Sequence, residues 1–298
     1  MSLIALLGAV EIGLVFGLVA LGVFISFRVL NFPDLTVDGS FPLGAAVAAT
    51  LIVSGWNPYV ACIAAALAGA VAGLITAWLA VNLRILHLLA GILTMIALYS
   101  INLRIMGKPN VALIGDPTVF APFEGLGLPS FWLQPIVFLV LTVAAGAALV
   151  VFFATELGLA LRATGANARM ARAQGVPAGA AVHAGLAMSN ALVALAGALF
   201  AQSQGGADIS MGVGVIVVGL AAVIVGETLV PGRTVLAAAI GCVVGSIVYR
   251  LAVAFALNTE ILGLQAQDLN LITAVLVAAA LVLPGARRAW RARRTKPA

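Results

Sequence analysis

Arg162, Arg169 and Arg172 fall within eleven positions of a chain in which only 8% of residues are charged. They stand in the segment ELGLALRATGANARMARAQGVP, residues 156–177, between two long apolar runs. The chemistry open to such a cluster is electrostatic, because guanidinium groups keep their charge and pair with carboxylates or phosphates of another molecule. Arginine clusters beside membrane spans stay on the cytoplasmic face. Asn167 suits the cap of a short helix, Gly175 its end, and Pro177 the start of the next. The segment predicts a short helix lying across the cytoplasmic membrane face, a handle for another protein.

Elsewhere the ionisable residues near or within apolar runs are few: Glu11, Arg28, Glu227 and Arg250, with Asp34, Asp38 and Asp208 near run ends. A charge at membrane depth costs about 2.5–3.5 kcal/mol on insertion scales and often marks function. A chain of buried carboxylates would indicate a proton or sodium relay, but these are scattered, one per run at most. Arg28 and Arg250 can equally snorkel to the nearer interface, and Glu227 reads as a cytoplasmic loop residue beside Arg233. Met95, Tyr99 and Asn102, spaced i, i+4 and i+7, share one helix face. That face mixes polar and apolar groups as a solute path would, and it also suits interhelical packing. With Asp34 and Asp38 at the polar start of the second run, these three are the candidate pathway residues. The sequence has no G-x-x-x-x-G-K-[ST], no H-E-x-x-H and no G-x-S-x-G. His87 and His183 are isolated, and Cys62 and Cys242 lack metal-ligand spacing. No catalytic residue, metal or cofactor is expected in this chain.

Composition sets what must position these residues. Hydrophobic residues make up 63% of the 298, and the mean hydropathy is +1.20. Since a helix needs about 20 apolar residues to span a bilayer, this is an all-α polytopic membrane bundle; strand-period alternation, which a barrel would require, is absent. Apolar runs cover roughly 5–27, 40–54, 59–82, 88–106, 132–155, 180–203, 211–227, 234–257 and 268–284, which predicts about 8–10 transmembrane helices. The net charge of +5 does not point to nucleic acid, because Arg287, Arg288, Arg291, Arg293, Arg294 and Lys296 crowd the tail. Such a tail anchors topology near anionic lipid. One transmembrane domain, 1–284, and a basic cytoplasmic tail, 285–298, are therefore expected. Counting back from the arginine segment puts the N-terminus outside and the loops 54–58 and 107–131 outside. No Lys or Arg precedes the first run and no small-residue cleavage site follows it, so no cleaved signal peptide is expected.

Two patterns bear on packing. Gly13/Gly17, Gly69/Gly73 and Gly241/Gly245 are small-xxx-small pairs that let helices approach closely. DLTV from Asp34 and DISM from Asp208 are offset by 174 positions, and the same offset aligns Leu18-Val19-Ala20-Leu21 with Leu192-Val193-Ala194-Leu195. Either this is chance in an Ala/Leu/Val-rich chain or it marks an inverted-topology repeat, at whose interface transporters place their pathway.

The stretch ATGANARMARAQGV, 163–176, resembles the coupling segment of bacterial ABC-importer permeases of the branched-chain amino acid and ribose family. That family shows A-x-G-x-N-x-x-x-A-x-x-x-G-[IV] there, and Gly165, Asn167, Ala171 and Gly175 all match. DLTVDGS, 34–40, resembles the family's DLSVGS-like element with one extra residue, Asp38. AAVIVGETLVPGR, 221–233, is similar to its A-A-V-x-G-G segment but carries Glu227 at a usual glycine. YSINLRIMGKPN, 99–110, is similar to a subfamily paired with binding proteins for tryptophan or other aromatic amino acids. The resemblance implies a bacterial inner-membrane permease that pairs with a second permease subunit, a homodimer. Arg162, Gly165, Asn167, Arg169, Ala171, Arg172 and Gly175 would couple it to ABC ATPase subunits that bind ATP and Mg. A periplasmic or lipoprotein substrate-binding protein would deliver an amino-acid-like solute. An ion-coupled secondary transporter or a channel acting without an ATPase remains the alternative.

The expected topology is checked by labelling intact cells with an impermeant maleimide. A cysteine replacing Ser2 should react and one replacing Ala298 should not; equal labelling would mean that the span count is off by one.

Overall fold

The computed structural model describes residues 3–124, 129–232 and 234–258, together with positions 275 and 278. The rest of the ninth apolar run, the basic tail and Arg233 lie outside the described residues. Among the described residues, seven helices are long and apolar enough to cross a membrane, and a shorter apolar helix, Val37–Val53, accompanies them. Helix α1 (Leu3–Val23) continues into a π-helical stretch, Phe24–Val29. After an irregular turn come α2 (Val37–Val53), α3 (Pro58–Val81) and α4 (His87–Met106). The outer connection carries β1 (Asn110–Ala112) and α5 (Ala121–Glu124), and α6 (Ser130–Ala154) returns the chain to the inner side. There α7 (Glu156–Ala166) and α8 (Ala168–Ala173) precede α9 (Ala178–Ser203). Strand β2 (Gly206–Asp208), a 3-10 turn (Ile209–Gly212), α10 (Val215–Leu229) and α11 (Val235–Asn258) follow.

Two ends of the bundle are thereby defined. Because α9 begins just after α8 and ends just before β2, the arginine segment and the β1–β2 ribbon lie at opposite ends. The ribbon is antiparallel, with Asn110 opposite Asp208 and Ala112 opposite Gly206. Gln202 ties this outer connection to α9 by accepting from the Val119 N–H at 3.0 Å. Lipid-facing positions on α3 and α4, such as Leu67, Val71, Leu93 and Ile96, are exposed and apolar, as a membrane requires.

The hydropathy runs anticipate these helices closely except at the starts of α2 and α10. Val37–Val53 has 17 residues and Val215–Leu229 has 15, against the roughly 20 that a bilayer needs; α10 reaches 21 only with its preceding 3-10 turn, as Ile209–Leu229. Gly91, early in α4, lies against Leu35, whereas Gly39 lies against Met95 and Leu98. Helix α2 thus begins more than one turn into the bundle and runs parallel to α4 to the outer side, where Thr50 donates to the Ile105 carbonyl. Helix α10 runs the opposite way and ends beside Arg28, which pairs with Glu227.

The 174-position offset recurs in the packing. It carries α9 onto 4–29, the span of α1 and its π stretch, and carries α10 and α11 onto the neighbourhoods of α2 and α3. Helix α1 packs against α10 and α11, while α9 packs reciprocally against α2 and α3. Gly13 faces Ile247; shifted by 174 in opposite senses these become Ala187 and Gly73, and Gly73 does lie against Leu186 and Ala187. Since α1 runs inward and α9 outward, the two halves are related as an inverted-topology repeat.

Small residues make these crossings possible. Among the expected pairs, Gly17 lies on Val243, Gly69 on Asn190 and Gly245 on Ala222. In a membrane, where apolar burial gives little drive between helices, such close van der Waals packing supplies it. Gly197 on α9 is an instance: an added Cβ would overlap the Phe41 carbonyl of α2. Gly197→Val should destabilise the protein by about 1–3 kcal/mol, the usual cost of overpacking. Thermal unfolding in detergent measures this, and an unchanged Tm would contradict the close approach.

Candidate functional site

On the inner face, the arginine segment folds as two helices hinged at Asn167. That residue leaves helical geometry (φ −159°, ψ 96°), and its Oδ1 accepts from the N–H groups of Arg169 and Met170, both at 3.1 Å. Gly175 closes α8 in the left-handed region at φ +84°. Both roles follow the sequence expectation. On α8, Ala171 is buried against the bundle, whereas Arg169 and Arg172 are exposed and Met170 is 62% exposed. The outward surface is therefore cationic around one apolar side chain. Gly165 serves a different need: a Cβ there would overlap the Val29 carbonyl at the end of α1. It seats α7 directly on the π-helical end of the first span. Arg162 and Gly165 line a 330 Å³ cavity with Arg28 and Asn31. Glu227, read from sequence as a loop residue beside Arg233, instead lies in α10 and pairs with Arg28, joining the inner ends of α10 and α1.

Within the bundle, the N-terminal ends of α2 and α10 meet. Asp38 Oδ1 accepts from the Ile216 N–H at 2.7 Å, so a residue of α2 caps α10 across 178 positions of sequence. Gly212 permits the contact, since a Cβ there would overlap the Asp38 carbonyl. A 390 Å³ cavity opens at this junction, between the start of α2, one face of α4 and the 3-10 turn. Asp38, Met95, Tyr99 and Asn102 all line it. Ser100, Ser210, Gly212 and Val213, not singled out from sequence, line it as well. A signal for the turn was present: the 174 offset places Gly212 opposite Asp38.

Asp34 is not among the cavity's lining residues. It is fully buried on the other side of α2. Its carboxylate accepts from the Thr36 N–H at 2.9 Å and from Asn190 Nδ2 at 2.7 Å. Asn190 Oδ1 in turn accepts from the Ser40 hydroxyl at 2.7 Å, and the Thr36, Thr76 and Thr94 hydroxyls follow in a chain at 2.7 and 2.9 Å. This network pins the start of α2 to α3, α4 and α9. Asp208 makes the same local turn, accepting from the Ser210 N–H at 2.7 Å, but it is only half-buried. The Ser210 hydroxyl and N–H hold its carboxyl below the usual carboxylate range. The tetrads thus share geometry and differ in burial, because the contact that shelters Asp34 comes from Asn190, 156 positions away. Arg250 rests over the Phe16 ring at 4.0 Å, a cation–π contact at a site where the sequence left snorkelling equally open.

Residues 5–283 match the family described as "Branched-chain amino acid transport system / permease component". The chain is 39% identical over 269 residues to a "Tyrosine transport system permease protein" of Clostridioides difficile, covering 90% of this chain and 87% of that one. It is 36% identical over 280 residues to an uncharacterised protein of Rickettsia prowazekii, covering 91% and 95%. Its fold is similar to a chain of the PsaBC structure from Streptococcus pneumoniae, at TM-score 0.51 and 15% identity, covering 93% and 89%.

If water reaches the junction cavity, single cysteines replacing Met95, Tyr99 and Val213 should react with water-soluble maleimides in membranes. One replacing Thr76, in the buried network, should stay inert. Inert positions 95, 99 and 213 would show that the cavity is closed to water.

Proposed function

This chain belongs to the branched-chain amino acid permease family, and on that premise we propose how it couples and what it carries. It is a multi-pass permease subunit of an ABC importer in the bacterial inner membrane. In our reading, two copies pair and each presents α8 to an ATPase subunit that binds ATP and Mg. A substrate-binding protein delivers solute at the outer face. The observation that carries the coupling is the surface of α8. Arg169, Met170 and Arg172 project from a helix capped at both ends, while Gly165 seats the preceding helix on α1. Closure of the ATPases would push α7 and α8, and the Gly165–Val29 contact and the Arg28–Glu227 pair would pass that push to α1 and α10.

The junction cavity lies where α10 begins, so a displacement of α10 reshapes it. The likeness to a tyrosine permease supports an aromatic amino acid as solute. The mixed lining also suits a zwitterion: Met95, Ile96 and Pro42 are apolar, while Asp38, Tyr99 and Asn102 are polar. No coupling ion is then needed, because direction comes from the ATPase.

The double variant R169E/R172E should insert and fold normally yet lose ATPase capture and ATP-driven uptake, because each exchange places like charge against the partner's acidic groups. Uptake and co-purification in mild detergent measure both; wild-type coupling in this variant would refute the docking role of α8.

A further inference from the structure

The junction cavity contains an unmet hydrogen-bonding group, and its identity indicates which end of a solute belongs there. Helix N-termini usually attract anions, but both of these are satisfied from within. On α10, Asp38 accepts from Ile216. On α2, Asp34 accepts from Thr36, and the next amides, of Asp38, Gly39 and Ser40, donate to Leu35 and Thr36 carbonyls. The unmet group is instead an acceptor. Asn102, fully buried on α4, donates from Nδ2 to the Gly39 carbonyl at 3.2 Å. That bond fixes the amide orientation, since a carbonyl can only accept. It leaves Asn102 Oδ1 buried with no partner. Buried polar atoms are nearly always hydrogen-bonded, and an exception calls for an explanation.

The charge of the cavity points the same way. Among the described residues, Asp38 is the sole ionisable carboxylate lining it, and no Lys, Arg or His does so. An acceptor and a carboxylate in a largely apolar enclosure select a positively charged donor and disfavour a second carboxylate.

We propose that Asn102 Oδ1 accepts a hydrogen bond from the protonated amine of the solute during passage, with the Asp38 carboxylate supplying charge and Met95 and Ile96 lying against the solute's apolar side chain. This rests on the reading of the cavity as the pathway. Asn102 would then be a specificity-determining residue, admitting amine-bearing solutes and disfavouring plain carboxylates of similar shape.

The test uses the complete transporter, with ATPase and binding protein, reconstituted in proteoliposomes with labelled L-tyrosine, L-tryptophan or L-leucine. N102L keeps the volume and removes the acceptor, and its folding and assembly are checked by co-purification with the ATPase. Its uptake per ATP should fall by about tenfold, the worth of one hydrogen bond to a charged donor. N102D keeps an oxygen at the orphaned position and should retain most of the uptake. Wild-type uptake in N102L would overturn the proposal. Equal loss in N102L and N102D would also overturn it, because the bond to Gly39 would then be what matters. A wild-type complex that hydrolyses ATP but moves none of the three amino acids would overturn the amino-acid reading itself.

Discussion

A chain that stops being helical inside a membrane leaves backbone N–H and C=O groups with no water to take them, at several kcal/mol each. Helices α2 and α10 both begin there, and the architecture is largely an answer to that cost. Asp38 caps α10 from the start of α2, Asp34 caps the turn that opens α2, and Asp208 does the same at the outer end of the turn before α10. Each carboxylate satisfies backbone donors; Asp38 joins α2 to α10 in doing so, and Asp34 and Asp208 also hold the distant side chains of Asn190 and Asn110. A cavity follows from the same break: two helices that start side by side cannot also fill the space a continuous span would occupy. Irregular backbone at membrane depth is tolerated where it is buried in protein or lines such a cavity.

Mechanical continuity rests on close contacts at the inner face. Gly165 brings α7 against the Val29 carbonyl, and Arg28 pairs with Glu227. A push delivered to the arginine segment is thus received by α1 and α10, one from each half of the repeat. Because α1 packs on α10 and α11 while α9 packs on α2 and α3, each half is held by the first helix of the other.

Much of this was legible in the sequence, for physical reasons that can be named. A lipid-exposed helix must be apolar for its whole length, so α3, α4, α6, α9 and α11 follow their hydropathy runs to within a few residues. The caps at Asn167 and Gly175 are local chemistry, and the i, i+4, i+7 spacing placed Met95, Tyr99 and Asn102 on one wall. What escaped depends on distant partners. The starts of α2 and α10 are set by a bond between residues 38 and 216, which hydropathy does not encode. Asp34 was grouped with the pathway because it stands four residues from Asp38. Its burial is fixed by Asn190, a polar residue concealed in an apolar run. Glu227 was taken for a loop residue because its partner, Arg28, lies 199 positions away.

The most direct test of the account is a structure of the reconstituted transporter in a lipid nanodisc, with solute trapped by a non-hydrolysable nucleotide. Solute density should lie at the junction of α2 and α10, against Asp38, Tyr99 and Asn102, in each permease subunit. Density along another face, such as the apolar cavity lined by Tyr59, Val119, Phe123 and Leu133, with the α2–α10 junction closed and empty, would contradict it.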